Sequence, residues 1–437
     1  MMNNKNIRSS LKLLSFLWSG TLIGSGSTFL VYMLLARELG IEEFGLFSSS
    51  LATITLLTLL AGFGVSKFWL KEFGREGWNA IRWIRPSIKF IYISTIFIVI
   101  LLAVWATLGP HDYDTTKILL ILSIFLVGQI GVEIVSSKFQ LEEKYQTLAL
   151  WQLAPNLSRL VLFSIVLLLP FKIDVFIVAY TYATIGLIFI YLSIKHLNLL
   201  KKGRFELKGH GKPHAELMQY LPSQQEIFKG ALPFGLATFF GFIYYQSDLI
   251  MLKYLASDSA SGLYNVSFVL LMAILIFPSN LFNKFLLPKY HRWANFEKEK
   301  FYNVYVKTTK IMLIFGFVMM SVVFTFSKII VIILFGTEYL NSVILLQIAS
   351  LNIPISSVAY GVGAVLVTEE NMKKKVVFMG IVALLNIVLN LALIPYYGAV
   401  GASIATVISN LVLLILYLYY VRNYIFNFKG NSNVAKY

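Results

Sequence analysis

Between Lys375 and Arg422 the chain carries no charged residue. A helix needs about 20 apolar residues to cross the hydrocarbon core of a bilayer, so this run is long enough to cross twice. Its middle, residues 386–410, reads NIVLNLALIPYYGAVGASIATVISN, in which asparagines, a proline and glycines interrupt the apolar residues. An uncharged run of this length constrains the chain to a membrane fold.

The composition extends that conclusion to the rest of the chain. Of its 437 residues, 58% are hydrophobic and 13% are charged, and the mean hydropathy is +0.75. Soluble domains are about half apolar and a quarter charged. Helices satisfy their own backbone in lipid, and the apolar runs exceed the ~10 residues of a membrane β-strand. We therefore predict an all-α integral membrane protein with about twelve transmembrane helices.

Apolar runs bounded by charged or turn residues predict where these helices lie. The long polar connection 196–229 leaves six spans on either side, and an even number of crossings gives both halves the same orientation, as in parallel repeats. We predict an N-terminal lobe (1–200), a cytoplasmic linker (201–228) and a C-terminal lobe (229–437). The predicted spans are residues 12–36, 44–66, 86–108, 116–138, 148–170, 174–195, 229–252, 262–283, 306–327, 341–367, 376–394 and 400–421.

Lysine and arginine are distributed unevenly between the loops. Most of the 37 lie at the two termini and in alternate loops, such as 67–89 and 195–229. Loops rich in these residues stay in the cytoplasm, so we predict that both termini are cytoplasmic. The same rule explains the net charge of +16 without a nucleic-acid partner. The sequence has no cysteine, which excludes disulfides and cysteine-based metal sites.

The interruptions within 386–410 predict a helical hairpin. Pro395 cannot continue the helical ladder, and Gly398 permits a tight reversal. Asn386 and Asn390 are four residues apart and share one helix face. In lipid such groups must face protein or water, so we predict a hairpin with a polar inner face. The matching polar residues of its second helix are Ser403, Thr406 and Asn410.

Several short segments, distributed along nearly the whole chain, match the residues and the spacing of a known protein family. They are ARELG at 36–40 with FG at 44–45, GLY at 262–264, LFGTEY at 334–339 and, most specifically, the asparagines, proline and glycines of 386–410. These segments resemble the polysaccharide (O-antigen) flippases of the multidrug/oligosaccharidyl-lipid/polysaccharide exporter superfamily.

The resemblance implies two six-helix lobes around a central cavity that opens alternately to each side, as in MATE transporters. It implies a transporter, not an enzyme, which moves an undecaprenyl-diphosphate-linked oligosaccharide from the cytoplasmic to the periplasmic leaflet of the bacterial inner membrane. Its expected partners are that lipid-linked oligosaccharide and membrane lipids, with a polysaccharide polymerase and chain-length machinery as further candidates. A cation-coupled multidrug exporter of the same fold is the alternative.

Helix geometry supplies the candidate binding residues. Arg159 lies near the middle of the fifth span, where an arginine costs about 2.5–3.5 kcal/mol to insert. Gln152, Asn156 and Arg159 share one helix face. We predict that this face binds the diphosphate, because a guanidinium fits phosphate oxygens in a bidentate arrangement. The alternative is a structural ion pair inside the first lobe.

A second polar stripe lies on the fourth span, where Gln129 and Glu133 are four residues apart. Glu133 is a candidate ion-pair partner of Arg159, a proton carrier or an acceptor for sugar hydroxyls. The alternative is an interfacial residue near Lys138.

The seventh span carries Asp248, with Tyr245 on the same narrow arc. Asp248 is a candidate site for a cation or a proton. It lies near the outer end of the span, so capping or an ion pair with Lys253 is the alternative. We expect no cofactor and no resident metal, and coupling to a proton or to sodium through Asp248 or Glu133 stays open.

Two basic residues complete the candidate set. Arg37 ends the first span beside several glutamates, and Lys67 follows the second span. Arg37 is a candidate substrate-binding residue, although a gate-region salt-bridge cluster or plain solvation is the favoured interpretation. Lys67 could recruit a phosphate headgroup, although ordinary loop charge is favoured. The short external loops disfavour a membrane glycosyltransferase, and a purely structural scaffold would need no charge at mid-membrane.

Overall fold

The computed structural model describes residues 4–170, 172–207, 220–367 and 371–426, and within these ranges the chain forms helices and no strand. Short 3₁₀- or π-helical turns join or extend some of the helices. The helices are α1 (Asn4–Gly62), α2 (Val65–Glu76), α3 (Ile84–Leu108), α4 (Tyr113–Leu141), α5 (Tyr145–Leu167), α6 (Val175–Lys201), α7 (Gln224–Leu255), α8 (Asp258–Asn280), α9 (Leu287–Phe296), α10 (Lys298–Phe335), α11 (Ser342–Ser350), α12 (Asn352–Val365) and α13 (Met372–Tyr420).

Two of the longest helices are each broken by a single glycine. Gly40 interrupts α1 with φ 72° and ψ 180°, and Gly398 interrupts α13 with φ 53° and ψ −133°. Backbone with positive φ is readily available only to glycine. α1 and α13 therefore each contribute two helical segments that are long enough to span. In the predicted hairpin the helix continues through Pro395 and turns at Gly398.

One span is bent within the membrane. α11 and α12 meet at Leu351 with an angle of 41° and together are apolar and long enough to cross once. With the two segments of α1, the two of α13 and the spans α3 to α8 and α10, the described residues hold twelve candidate membrane-spanning segments. The predicted all-α membrane fold with about twelve spans is confirmed.

The chain divides into two compact units, Met1–Phe239 and Phe240–Tyr437, and the boundary falls inside α7. In the first unit α4 and α6 pack closely: a Cβ added to Gly128 would lie 2.7 Å from the Cα of Gly186. In the second unit α10 and α12 are equally close, since a Cβ on Gly316 would lie 2.4 Å from the Cα of Pro354. Small residues allow such helix contacts in lipid, where the hydrophobic effect is absent.

Each unit also has a short amphipathic helix that does not span. α2 follows the second span and buries Phe68 and Trp69, while α9 follows the eighth span and buries Tyr290 and Trp293. The two helices thus occupy the same place in the order of the spans. Residues 208–219 of the predicted linker lie outside the described residues, and the lobe boundaries of the sequence analysis stay predictions.

Candidate functional site

Arg159 is half-buried on α5, one turn after the proline that lies inside this helix. Its Nη2 donates to Asn156 Oδ1 at 2.7 Å, and its Nε donates to the Pro155 carbonyl at 3.3 Å. The guanidinium carbon lies 5.6 Å from the ring centre of Phe125 and 5.5 Å from that of Tyr182. Two aromatic faces and one amide therefore hold the cation inside the first unit.

The charge of Arg159 is not neutralised by a neighbouring acid. No carboxylate in the described ranges lies within 4.0 Å of its guanidinium. A guanidinium carries five N–H donors, and the two bonds above use only part of that capacity. An arginine held in this way retains donors for an anionic ligand.

The polar candidates of α5 and Gln129 of the second stripe, on α4, differ in exposure. Asn156 is half-buried and lies against α1, because a Cβ on Gly24 would be 3.1 Å from Asn156 Nδ2. Gln152 is exposed on α5, and Gln129 is half-buried on α4. The structure therefore brings Asn156 and Arg159 into direct contact and leaves Gln152 at the surface.

Glu133 lies on α4 but interacts with a different part of the unit. Its neighbours are the Ser66 hydroxyl and the Lys67 ammonium at the start of α2, and a Cβ on Gly62 would be 3.4 Å from its Oε2. Lys67 is exposed, and its Nζ donates to Thr238 Oγ1 at 2.9 Å. Glu133 and Lys67 are thus neighbours.

These contacts decide one of the interpretations of Glu133. Among the residues that the structure describes, no ion pair joins it to Arg159. Lys138 Nζ lies 2.7 Å from Glu142 Oε1 in a buried ion pair, and the roles of Glu133 as proton carrier, sugar acceptor or interfacial residue near Lys138 stay predictions. A glutamate beside Ser66 and Lys67 instead forms a small polar cluster of its own.

Asp248 is fully buried in the second unit and accepts three side-chain hydrogen bonds. Tyr264 from α8 donates to Oδ2 at 2.6 Å, and Thr406 from the second half of α13 donates to the same oxygen. Asn390 from the first half of α13 donates to Oδ1 at 2.6 Å. The carboxylate therefore connects three helices, and both halves of the 386–410 hairpin contribute.

The asparagines extend this network. Asn390 Nδ2 also donates to Asn386 Oδ1 at 3.1 Å, and the Ser247 hydroxyl donates to the same oxygen at 3.2 Å. On the next turns of the hairpin, Asn410 Nδ2 donates to Asn352 Oδ1 at 3.0 Å. The polar inner face of the hairpin thus binds polar residues of α7 and α12. Asn390 Oδ1 is buried and, within the described part of the chain, accepts no hydrogen bond.

The alternative pairing of Asp248 with Lys253 does not occur. Lys253 Nζ lies 2.8 Å from Asp258 Oδ1 instead. Tyr245, on the same helix, donates to the Tyr360 hydroxyl at 3.2 Å. It lines a cavity of about 10 Å³ together with Tyr264, Thr406 and Asn410, which is room for about one water molecule.

A sequence profile of the family described as "Polysaccharide biosynthesis protein" matches residues 10–289. The chain belongs to this family. The resemblance stated from the sequence motifs is therefore confirmed. The sequence has no significant match among curated proteins.

Solved structures share the fold of this family member at low sequence identity. The lipid II flippase MurJ in an inward closed conformation is 16% identical with a TM-score of 0.72, over 93% of this chain and 87% of that one. An inward-facing multidrug resistance MATE family transporter of the MOP superfamily is 15% identical with a TM-score of 0.65, over 94% and 96% of the two chains. A MOP superfamily transporter from Pyrococcus furiosus is 16% identical with a TM-score of 0.58, over 95% of each chain.

Arg37 is the last of the candidate substrate-binding residues. It is exposed and lies three residues before the break at Gly40. Nearby, Glu43 Oε2 accepts the backbone N–H of Val175 at 2.9 Å, at the start of α6. The Glu43 carboxylate therefore accepts a hydrogen bond at the amino end of α6, where the helix dipole stabilises a negative charge.

Tyr264 is the residue that the sequence reasoning left out of the site. It contacts both Asp248 and Thr406, the latter at 3.1 Å between the two hydroxyls. The sequence signal was the GLY motif at 262–264, in which this tyrosine stands. The pattern alone did not reveal that its hydroxyl points at the acid of the preceding helix.

Proposed function

We propose that this member of the polysaccharide biosynthesis family is a flippase. It moves an undecaprenyl-diphosphate-linked oligosaccharide, such as an O-antigen or other surface-polysaccharide repeat unit, from the cytoplasmic to the periplasmic leaflet by alternating access. The observation that supports this most is Arg159, an arginine within a membrane span that has aromatic neighbours and, among the residues that the structure describes, no carboxylate partner.

The chemistry of the cargo explains why such an arginine would be useful. A lipid diphosphate is anionic in the pH range of the cell, and an arginine offers paired N–H donors that match phosphate oxygens. The cost of placing this charge in the membrane is offset when the anion binds. In this proposal Asn156 orients the guanidinium, and the lipid tail remains in the bilayer.

The multidrug exporter is the weaker candidate. A transporter of cationic drugs needs an acid that the drug can reach. The acid of the second unit, Asp248, is fully buried and already accepts three hydrogen bonds. The family match to polysaccharide biosynthesis proteins also favours the flippase.

We further propose that the Asp248 cluster couples transport to a proton or to sodium. The cluster contains carboxylate, amide and hydroxyl oxygens, which are the ligands that hard cations prefer, and Asn390 Oδ1 accepts no hydrogen bond from any residue that the structure describes. If this is right, Asp248→Asn removes the dependence of transport on an imposed proton or sodium gradient, whereas the wild-type rate rises with one of the two. An unchanged gradient dependence in Asp248→Asn would refute the coupling role.

The same proposal specifies the membrane in which the protein resides and the molecules with which it interacts. The protein resides in the bacterial inner membrane, with both termini on the cytoplasmic side, as the loop charges predict. Its transported partner is the lipid-linked oligosaccharide, and a polysaccharide polymerase with its chain-length machinery would consume the product. No enzymatic step and no cofactor enter this proposal.

The deciding experiment uses proteoliposomes loaded with a labelled diphosphate-linked oligosaccharide. We expect the wild type to move the label across the bilayer, Arg159→Ala to reduce the rate about 100-fold and Arg159→Lys to retain part of it, because a lysine keeps the charge without the paired donors. The amount of each variant in the vesicles is measured after reconstitution, and size-exclusion chromatography in detergent checks that each variant is monodisperse.

Two other outcomes have definite meanings. If the wild type moves no lipid-linked sugar but extrudes small organic cations, the flippase proposal is wrong and the exporter replaces it. If Arg159→Ala transports at the wild-type rate, the arginine is structural and the diphosphate site lies elsewhere.

A further inference from the structure

A basic groove lies in the first unit where α3 begins and α6 ends. It has a volume of about 440 Å³, within the range of small-molecule sites. Its cationic side chains are Arg85, Lys89, Lys201 and Lys202. We propose that this groove binds a membrane lipid whose headgroup carries two phosphate groups. None of these four residues belongs to the candidate site described above.

The face of α3 that lines the groove changes character along the helix. Arg85 and Lys89 are one turn apart, followed by Tyr92 and then by Ile93 and Ile96. The last three are 47%, 53% and 59% exposed. A bilayer changes in the same order, from charged headgroups through an interface that favours tyrosine to hydrocarbon. A lipid lying along this face would find a matching surface at each depth.

The end of α6 fixes the cationic part of the groove. Lys201 Nζ lies 4.7 Å from the centre of the Tyr92 ring, and the Lys201 carbonyl accepts from Arg85 Nε at 2.9 Å. These contacts hold the two helix ends together. They use only one of the five N–H donors of Arg85, so the guanidinium keeps donors for phosphate oxygens.

The charge of the groove is not balanced by protein carboxylates. Among the residues that the structure describes, no ion pair within 4.0 Å joins Arg85, Lys89, Lys201 or Lys202 to an acid. A nearby lysine shows the contrast: Lys144 Nζ lies 3.2 Å from Glu142 and 3.4 Å from Glu206. The groove is therefore suited to a ligand that supplies negative charge.

The number of cations indicates how many phosphates the headgroup carries. Four cationic side chains exceed what a single monoanionic phosphodiester neutralises. Basic grooves between membrane helices are known to accept headgroups with more than one phosphate. Two lipids have this chemistry, a two-phosphate phospholipid such as cardiolipin and a polyprenyl diphosphate. The inference does not depend on transport, since either lipid would bind the groove.

The test measures lipid binding to the full-length protein in detergent micelles. Cardiolipin, phosphatidylglycerol, undecaprenyl diphosphate and inorganic pyrophosphate each compete with a fluorescent cardiolipin. The variant is Lys89→Gln with Lys202→Gln, both exposed lysines. The matched control is Lys373→Gln with Lys374→Gln, which removes the same charge from two exposed lysines of the second unit. Thermal unfolding confirms that both variants are folded.

We expect cardiolipin or undecaprenyl diphosphate to bind the wild type at least tenfold more tightly than phosphatidylglycerol. The groove variant should lose about 25-fold in affinity, about fivefold for each lysine, while the control stays within about twofold. Preference for cardiolipin identifies a resident phospholipid, and preference for undecaprenyl diphosphate identifies a docking place for the cargo lipid. Both support the proposal.

Three results overturn it. The first is equal affinity in the groove variant and the wild type. The second is equal affinity for phosphatidylglycerol and the two-phosphate lipids. The third is displacement by inorganic pyrophosphate as effective as by either lipid, because the apolar part of the groove would then contribute nothing.

Discussion

Arg159 in the first unit and Asp248 in the second are both charged side chains within membrane spans, and the protein holds them in opposite ways. Arg159 in the first unit is half-buried, with one side-chain hydrogen bond to Asn156 and two aromatic neighbours. Asp248 in the second unit is fully buried and accepts three side-chain hydrogen bonds.

This difference separates two roles for an intramembrane charge. A carboxylate enclosed by donors from three helices contributes to the packing of its unit, and only a small ion could join it. A guanidinium with unused donors and partial exposure is suited to bind a large anion. Burying a charge is costly unless it is hydrogen-bonded, so the two arrangements should respond differently to mutation.

The largest effect on stability should come from Asp248→Ala. This change removes the acceptor that Tyr264, Asn390 and Thr406 share, and a hydrogen bond to a charged group is worth about 1.5–3 kcal/mol. We expect a loss of about 3 kcal/mol or more in the free energy of unfolding, measured in detergent micelles. Asp248→Asn preserves the shape and should cost less.

The free energy of unfolding of Arg159→Ala, measured in the same way, tests the difference between Arg159 and Asp248. That variant should lose less than about 1 kcal/mol of stability, because a half-buried side chain leaves water able to reach its former partner. Equal destabilisation by the two alanine variants would show that both charges are structural.

A smaller effect, on transport only, is expected for Asn156→Ala. The amide holds Arg159 at 2.7 Å, and a hydrogen bond to a charged group is worth about 1.5–3 kcal/mol. We expect transport of a lipid-linked oligosaccharide in proteoliposomes to fall about tenfold, with unchanged unfolding. Asn198→Ala, on an exposed asparagine of α6 outside the candidate site, is the control and should stay within about twofold. Equal losses in both variants would mean that the pairing with Arg159 is unimportant.

The smallest effect distinguishes two tyrosines of the second unit. Tyr264→Phe removes a hydroxyl that donates to the carboxylate at 2.6 Å, whereas Tyr245→Phe removes a hydroxyl bonded to another hydroxyl at 3.2 Å. We expect losses of about 1.5 and about 0.5 kcal/mol in the free energy of unfolding. A larger loss for Tyr245→Phe than for Tyr264→Phe would mean that the hydrogen bond to Tyr360 contributes more to stability than the hydrogen bond to Asp248.

The membrane fold could be predicted from the sequence because lipid imposes strong rules on single segments. Span length, loop charge and the turn residues of 386–410 each act locally, and the hairpin turn indeed falls at Gly398. The asparagines of that hairpin were expected to face protein, and they bind Asp248 and one another.

The partners of the charged residues could not be predicted in the same way. Glu133 was open as a partner of Arg159, yet it lies beside Lys67. A lysine next to a loop is expected to be solvated, but Lys375 is half-buried and its Nζ donates to the Gly363 carbonyl at 3.2 Å. Such pairings depend on which helices pack together and on their rotation, and helical periodicity within one span does not determine either.

The connection between the first two spans, at Gly40, is short, and so is every second connection after it. These connections are a single glycine at 40 and at 398, and only a few residues at 109–112, 168–174, 256–257 and 336–341. Because successive crossings alternate in direction, the three short connections of each unit emerge on the same side of that unit. That side offers little backbone to a protease, an antibody or a soluble partner. The longer segments, such as 63–83 in the first unit and 281–297 in the second, lie on the opposite side.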